Sequence, residues 1–195
     1  MRSKLFNKRR KVALAGLVFA TSLVAAVPAM AQTGGSGAPG STTTPTTTTP
    51  APAGTTAVLN PDGSATAPAG APKPVRKAIN AANRIRTKPY IWGGGHRKWK
   101  SRGYDCSGAV SYVLHAAGLL RRPMVSGTLG TRWGAPGIGQ WITVYGNPRH
   151  VYMVVAGLRF DTSQAGDPLS QGSGPRWRST HRSAGTYLSR YAPGL

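Results

Sequence analysis

At 195 residues, with 25 Lys and Arg against 4 Asp and Glu, the chain carries a formal charge of +21, and its 26 Gly and 16 Pro exclude a molecule that is helical throughout. That length suits one modest domain and not a multi-domain machine. A single cysteine, Cys106, excludes an internal disulfide and any metal cluster built on cysteine.

Residues 1–31 read as an export leader. Arg2, Lys4, Lys8, Arg9, Arg10 and Lys11 form a cationic start, Val12 to Val27 is mostly apolar, and Ala29-Met30-Ala31 offers small residues to a signal peptidase. Cleavage is expected before Gln32. The apolar run contains Thr21 and Ser22 and falls short of the roughly 20 residues of a spanning helix, so no stable membrane span is expected after cleavage. Residues 32–74 are low in complexity, with a Thr/Pro run from Ser41 to Pro50 followed by Ala, Pro and Gly. Such a segment has too little apolar surface to offset its ordering entropy, and a disordered linker is expected over 32–74, open to glycosylation.

The folded domain is expected over 75–195. Val75, Ile79, Ala82 and Ile85 recur at three- to four-residue spacing between basic residues, which predicts an amphipathic helix over 75–87 that Lys88-Pro89 ends. Pro89 to Gly95 reads as a short aromatic extended piece entering a glycine loop, and His96 to Arg102 as a solvated surface loop. Asp105 then fits an N-cap and Gly118 a stop, with Ala109, Val110, Val113, Leu114 and Ala117 as a broad apolar stripe between them. Cys106 therefore falls in the first turn of a buried helix. A Gly/Pro-rich connection over 121–139 leads into strand-like runs at 141–145, 150–156 and 158–162, which predict an antiparallel meander. A helix packed on a small sheet is an α+β domain. After Ser163 the chain is polar and Gly-rich, with Trp177 and Tyr187 as expected anchors.

A thiol at a helix amino terminus meets unpaired N–H groups and the positive end of the dipole, which favour a negative sulfur and can receive an oxyanion. The chemistry also needs a base, and His96, His115, His150 and His181 are the imidazoles available. His115 lies too far along the helix of Cys106. His150 opens a central strand, and a two-residue turn at Gly157-Leu158 brings Asp161 beside it, where a carboxylate would set the imidazole tautomer. A register one residue different would substitute Thr162. Asp105 is first a helix cap, and Tyr90 and Trp92 suit a core or cleft wall.

Pro89-Tyr90-Ile91-Trp92-Gly93-Gly94, then Tyr104-Asp105-Cys106-Ser107-Gly108 opening an apolar helix, then His150 starting a Val/Met-rich strand, resembles the NlpC-type family of cell-wall cysteine peptidases over Val75 to Ser163. The resemblance implies a papain-like α+β fold and hydrolysis of amide bonds in the peptide stems of peptidoglycan, typically beside a D-glutamyl residue linked through its side chain. It implies Cys106 as nucleophile, His150 as base and Asp161 as the third member. Tyr90, Asp105 and Ser107 would face substrate or oxyanion, and no metal or organic cofactor is required. The sequence departs from the family where Gly139-Gln140 stands in place of Gly-Asp.

Export and the missing basic helix speak against nucleic acid as a partner. The surplus charge remains after the leader's six basic residues are discounted, and it suits peptidoglycan and anionic wall polymers. A secreted or wall-associated monomer is expected. Two rival readings keep the same fold: a catalytically silent, cationic wall-binding module, and a thiol amidase or acyltransferase acting on another amide.

Overall fold

The computed structural model describes residues 54–165, 167, 172–179 and 182–195. The expected leader, its cleavage site, the first part of the linker and His181 lie outside the described residues. Among the described residues no helix is long and apolar enough to cross a membrane.

Order begins earlier than composition implies. Within the segment expected to be linker, strands β1 (Val58–Leu59) and β2 (Ala65–Thr66) pair antiparallel across Asn60-Pro61-Asp62-Gly63. The turn holds because Asp62 accepts the Ser64 N–H at 2.9 Å and Gly63 takes a positive φ of 76°. Ala57, Ala65 and Ala71 are buried, so the small side chains that look like low complexity are core contacts. Helix α1 (Lys73–Ile85) follows, burying Val75, Ala78, Ile79, Ala81, Ala82 and Ile85 on one face. It starts two residues before the predicted span and ends two before it.

Asn83 on α1 fastens this hairpin to the domain. Its side chain accepts from Ala65 N–H at 2.9 Å and from Trp177 Nε1 at 2.8 Å, and donates to the Ala65 carbonyl at 2.8 Å. Asn83→Ala leaves these groups unpaired and should lower stability by about 1–3 kcal/mol. A urea titration reads the loss, and an unchanged midpoint would remove Asn83 as the fastening point.

Helix α2 (Cys106–Ala116) begins at Asp105, whose carboxylate accepts from Gly108 N–H at 2.7 Å, the cap expected from the sequence. A third helix, α3 (Ser126–Arg132), lies in the connection expected to be irregular. The sheet contains β3 (Ala135–Pro136), β4 (Ile142–Gly146), β5 (Val151–Val155), β6 (Leu158–Asp161), β7 (Arg176–Arg178) and β8 (Leu188–Tyr191), in the order β3-β8-β4-β5-β6-β7 with every pair antiparallel. The meander predicted from three runs is its centre. β7 and β8 come from the stretch that showed no pattern, and β8 inserts between β3 and β4.

α2 packs between α1 and β5, and α3 covers β4. Val113, Leu114, Val144, Met153 and Val155 are fully buried in the core these elements share. The fold is therefore α+β, with the Cys-bearing helix on a small antiparallel sheet. The tight turn between β5 and β6 is at Ala156-Gly157, one residue before its expected position, because Val155 pairs with Leu158. Ala156 and Gly157 take φ of 46° and 80°, the paired positive values of a two-residue hairpin turn.

Candidate active site

Three elements converge on Cys106. The end of the chain before α2 brings Tyr90 and Trp92, α2 itself carries Cys106 at its first position, and β5 is preceded by His150. A cleft of about 330 Å³ opens over the sulfur, walled by Tyr90, Trp92, His96, Ser107 and Arg149. Asp105 uses Gly108 N–H, and Ala109 N–H starts the helical ladder on the Asp105 carbonyl. That leaves the N–H groups of Cys106 and Ser107 aimed out of the helix end without a protein acceptor among the described residues.

His150 is the centre of a polar chain. Its Nε2 is 2.8 Å from Asp161 Oδ1, its ring lies near enough to Cys106 to feel the sulfur's charge, and its side chain is only 18 % exposed. With Nε2 held by Asp161, Nδ1 is the ring nitrogen left for another partner. Burial alone would push the ring's pKa down. The Asp161 hydrogen bond, then the influence of Cys106 and the negative charge of Asp161, outweigh burial and raise it from 6.5 to about 9. At neutral pH the ring is an imidazolium.

Asp161, and not Thr162, is the His150 partner. Its side chain is 0 % exposed, which by itself would push the carboxyl up. The hydrogen bond and charge of His150, the Ser163 N–H at 2.9 Å and Arg182 Nη1 at 3.1 Å hold it below the usual carboxylate range instead. Arg182 lies 5.6 Å from the ring centroids of both Tyr152 and Tyr187, and Tyr187 meets His150 edge-on. Trp177 is buried against Phe160, as expected of an anchor, whereas Tyr187 is half-buried and belongs to this polar assembly.

Tyr90 faces the same cleft. Burial, followed by the negative charges of Cys106 and Asp105, pushes its phenol up, so it keeps its proton and can donate. Asp105 and Ser107 stand where the sequence places them, on either side of the sulfur, but they are engaged by a residue assigned to a solvated loop. His96 Nε2 lies 3.1 Å from both Asp105 oxygens and 3.1 Å from Ser107 Oγ, and Gly93 N–H donates to Asp105 at 3.0 Å. The glycine run 93–95 folds the chain back and turns His96 into the cleft. A second imidazole–carboxylate pair thus borders Cys106. Only the scarcity of both residue types in the sequence hinted at it.

No family model matches the chain, and no curated protein matches it. Among solved structures, it is similar to the peptidoglycan hydrolase RipB from Mycobacterium tuberculosis, at 21 % identity and a TM-score of 0.47 over 60 % of this chain and 64 % of that one. It is also similar to NlpC1 from Trichomonas vaginalis, at 19 % identity and 0.45 over 62 % and 44 %. An NlpC/P60 family protein from Bacillus cereus is similar at 20 % identity and 0.44, over 60 % of this chain. The chain spans 39 % of the length of that Bacillus cereus protein.

Proposed function

We propose that this chain is an exported cysteine peptidase that hydrolyses amide bonds in the peptide stems of peptidoglycan. The observation that supports the chemistry is the His150–Asp161 pair, with Nε2 to Oδ1 at 2.8 Å, whose ring feels the charge of Cys106 at the first position of α2. The substrate class rests on the motifs around Tyr90, Cys106 and His150 and on the surplus positive charge.

In this reading the Cys106 thiolate attacks the scissile carbonyl carbon, and a C–S bond forms as the carbonyl electrons move to oxygen. The free N–H groups at the start of α2 and the Tyr90 hydroxyl receive that oxyanion. The His150 imidazolium gives its proton to the departing amine, the C–N bond breaks, and an acyl-enzyme remains. The now neutral ring takes a proton from water, whose oxygen displaces sulfur and releases the acid. Asp161 keeps its charge throughout and holds the ring in the tautomer that serves both steps.

The test is digestion of purified peptidoglycan followed by mass analysis of released fragments. New amine and carboxyl ends at a stem amide are expected, and alkylation of Cys106 with iodoacetamide should abolish their release. Fragments that persist after complete alkylation would overturn the nucleophile. Binding to insoluble wall with no fragments at all would favour the silent wall-binding module.

A further inference from the structure

The sequence holds four side-chain carboxylates, all Asp, and each already meets an Arg or His side chain of the same chain. Asp62 meets Arg86 at 3.1 Å, Asp105 meets His96 at 3.1 Å, Asp161 meets His150 and Arg182, and Asp167 meets Arg178. Arg159 and Arg176 share Asp161 and Asp167 at 3.8 and 3.9 Å, and none of the four carboxylates forms an ion pair with Arg97, Lys98, Lys100 or Arg102, whose charges are open to an anionic ligand.

They converge beside the cleft. Arg97, Lys98, Lys100 and Arg102 line an open trough of about 640 Å³, all four exposed and none in an ion pair among the described residues. The loop that carries them is pinned. Trp99 stacks on His115 at 3.9 Å and 4°, while Tyr104 Oη donates to the Trp99 carbonyl at 2.7 Å and accepts the Ser101 N–H at 3.1 Å. Trp99 and Ser101 are thus tied to the domain while the four cations between and beside them face the trough, so little ordering is needed when a ligand arrives. The other wall is Trp92, 87 % exposed, a large flat apolar surface with no packing partner to explain it. Trp92 and Gly93 line both this trough and the Cys106 cleft, which makes the two continuous.

We infer that this trough is a second binding subsite, one that takes a carboxylate-bearing glycan–peptide strand and leads it past Trp92 to Cys106. The trough is open and roomier than a single ion requires, its cations repeat at positions 97, 98, 100 and 102, and an exposed indole offers a face to a sugar ring or aliphatic chain. An acidic polymer satisfies all three features at once. The inference rests on the proposed function for the identity of the strand, since the polymer bound is the one whose amide enters the cleft.

The experiment uses the full chain carrying Cys106→Ala, so that binding is read without turnover, and two probes: purified insoluble peptidoglycan, and the same material with its carboxylates converted to methylamides. Sedimentation at moderate salt should show about tenfold weaker binding to the amidated wall. The quadruple variant Arg97→Gln, Lys98→Gln, Lys100→Gln, Arg102→Gln should lose about tenfold on native wall and nothing further on amidated wall. A second quadruple variant, Lys77→Gln, Arg121→Gln, Arg122→Gln, Arg132→Gln, removes the same charge at exposed positions outside the trough and should bind within about twofold of the parent.

Equal losses in the two quadruple variants would overturn the subsite and leave only net charge. So would unchanged binding to amidated wall, or a single-stranded DNA oligonucleotide that displaces the protein from native wall at matched charge concentration. Cleavage and binding separate the two readings: the trough stands if binding follows this pattern while the parent chain releases no fragments, and it falls alone if fragments appear without the pattern.

Discussion

Asp161→Asn is expected to lower turnover on muropeptides about 10²- to 10⁴-fold with the fold retained, and Cys106→Ala to remove turnover altogether. Asparagine keeps the shape of the aspartate but brings an amide whose N–H₂ can face Nε2, which favours the wrong tautomer and withdraws the charge that stabilises the imidazolium. A pH effect on stability accompanies the kinetic one. His150 is raised from 6.5 to about 9, so folding favours the protonated ring. The stabilisation is fully present below about pH 6.5 and is lost as the pH rises through about 9, a difference on the order of 3 kcal/mol. Asp161→Asn should flatten that window, because the Asp161 hydrogen bond is the largest of the influences that raise the ring. Urea titrations at pH 6, 8 and 10, run on both chains in parallel, read the difference. Superimposable slopes would mean that His150 and Asp161 are not paired in solution.

The second large effect is mechanical. Gly108 lies in the first turn of α2, where the loop carrying Gly94 crosses so closely that Asp105 N–H bonds the Gly94 carbonyl at 3.3 Å. A Cβ at position 108 would overlap that carbonyl oxygen and press on Asp105 Oδ1 at 3.2 Å. The overlapped atom is backbone, held on both sides, and no side-chain rotation relieves it. Gly108→Ala is therefore expected to destabilise by roughly 3 kcal/mol or more, above the middle of the range for overpacking. Gly118→Ala is the control. Gly118 closes the same helix with φ of 81° and nothing within 4 Å of its would-be Cβ, so the change brings backbone strain alone, about 1–2 kcal/mol. Thermal unfolding ranks the two, and equal losses would show that Gly94 does not press on the helix.

The same close approach places the cleft. Because Gly94 rests on the amino end of α2, the chain on either side of it sets Trp92 and His96 around Cys106. The glycines of this loop thus shape the site through the course of the backbone. Arg182 has a comparable place on the other side, where it takes the second oxygen of Asp161 and leaves the first to His150.

Local periodicity and local chemistry encode the part of the molecule that can be read residue by residue. The cap Asp105, the apolar stripe of α2, the β-branched and aromatic runs of the three central strands, and the tight hairpin that brings Asp161 back toward His150 are all set within a few residues of one another. Even the hairpin at 58–66 carried a local signal in Asn60-Pro61-Asp62-Gly63, obscured by the composition around it. The tertiary structure alone decided the rest. β8 is exposed or half-buried along its length, so its residues show no hydrophobic pattern, and only pairing with β4 makes it a strand. His96 reaches Asp105 and Ser107, and Arg182 reaches Asp161, through loops whose course depends on distant packing and not on any repeat of their own. A hydrophobic period records which face of an element is buried, whereas a polar contact between loops is chosen by where the packed core delivers their ends, and no short stretch of residues encodes that position.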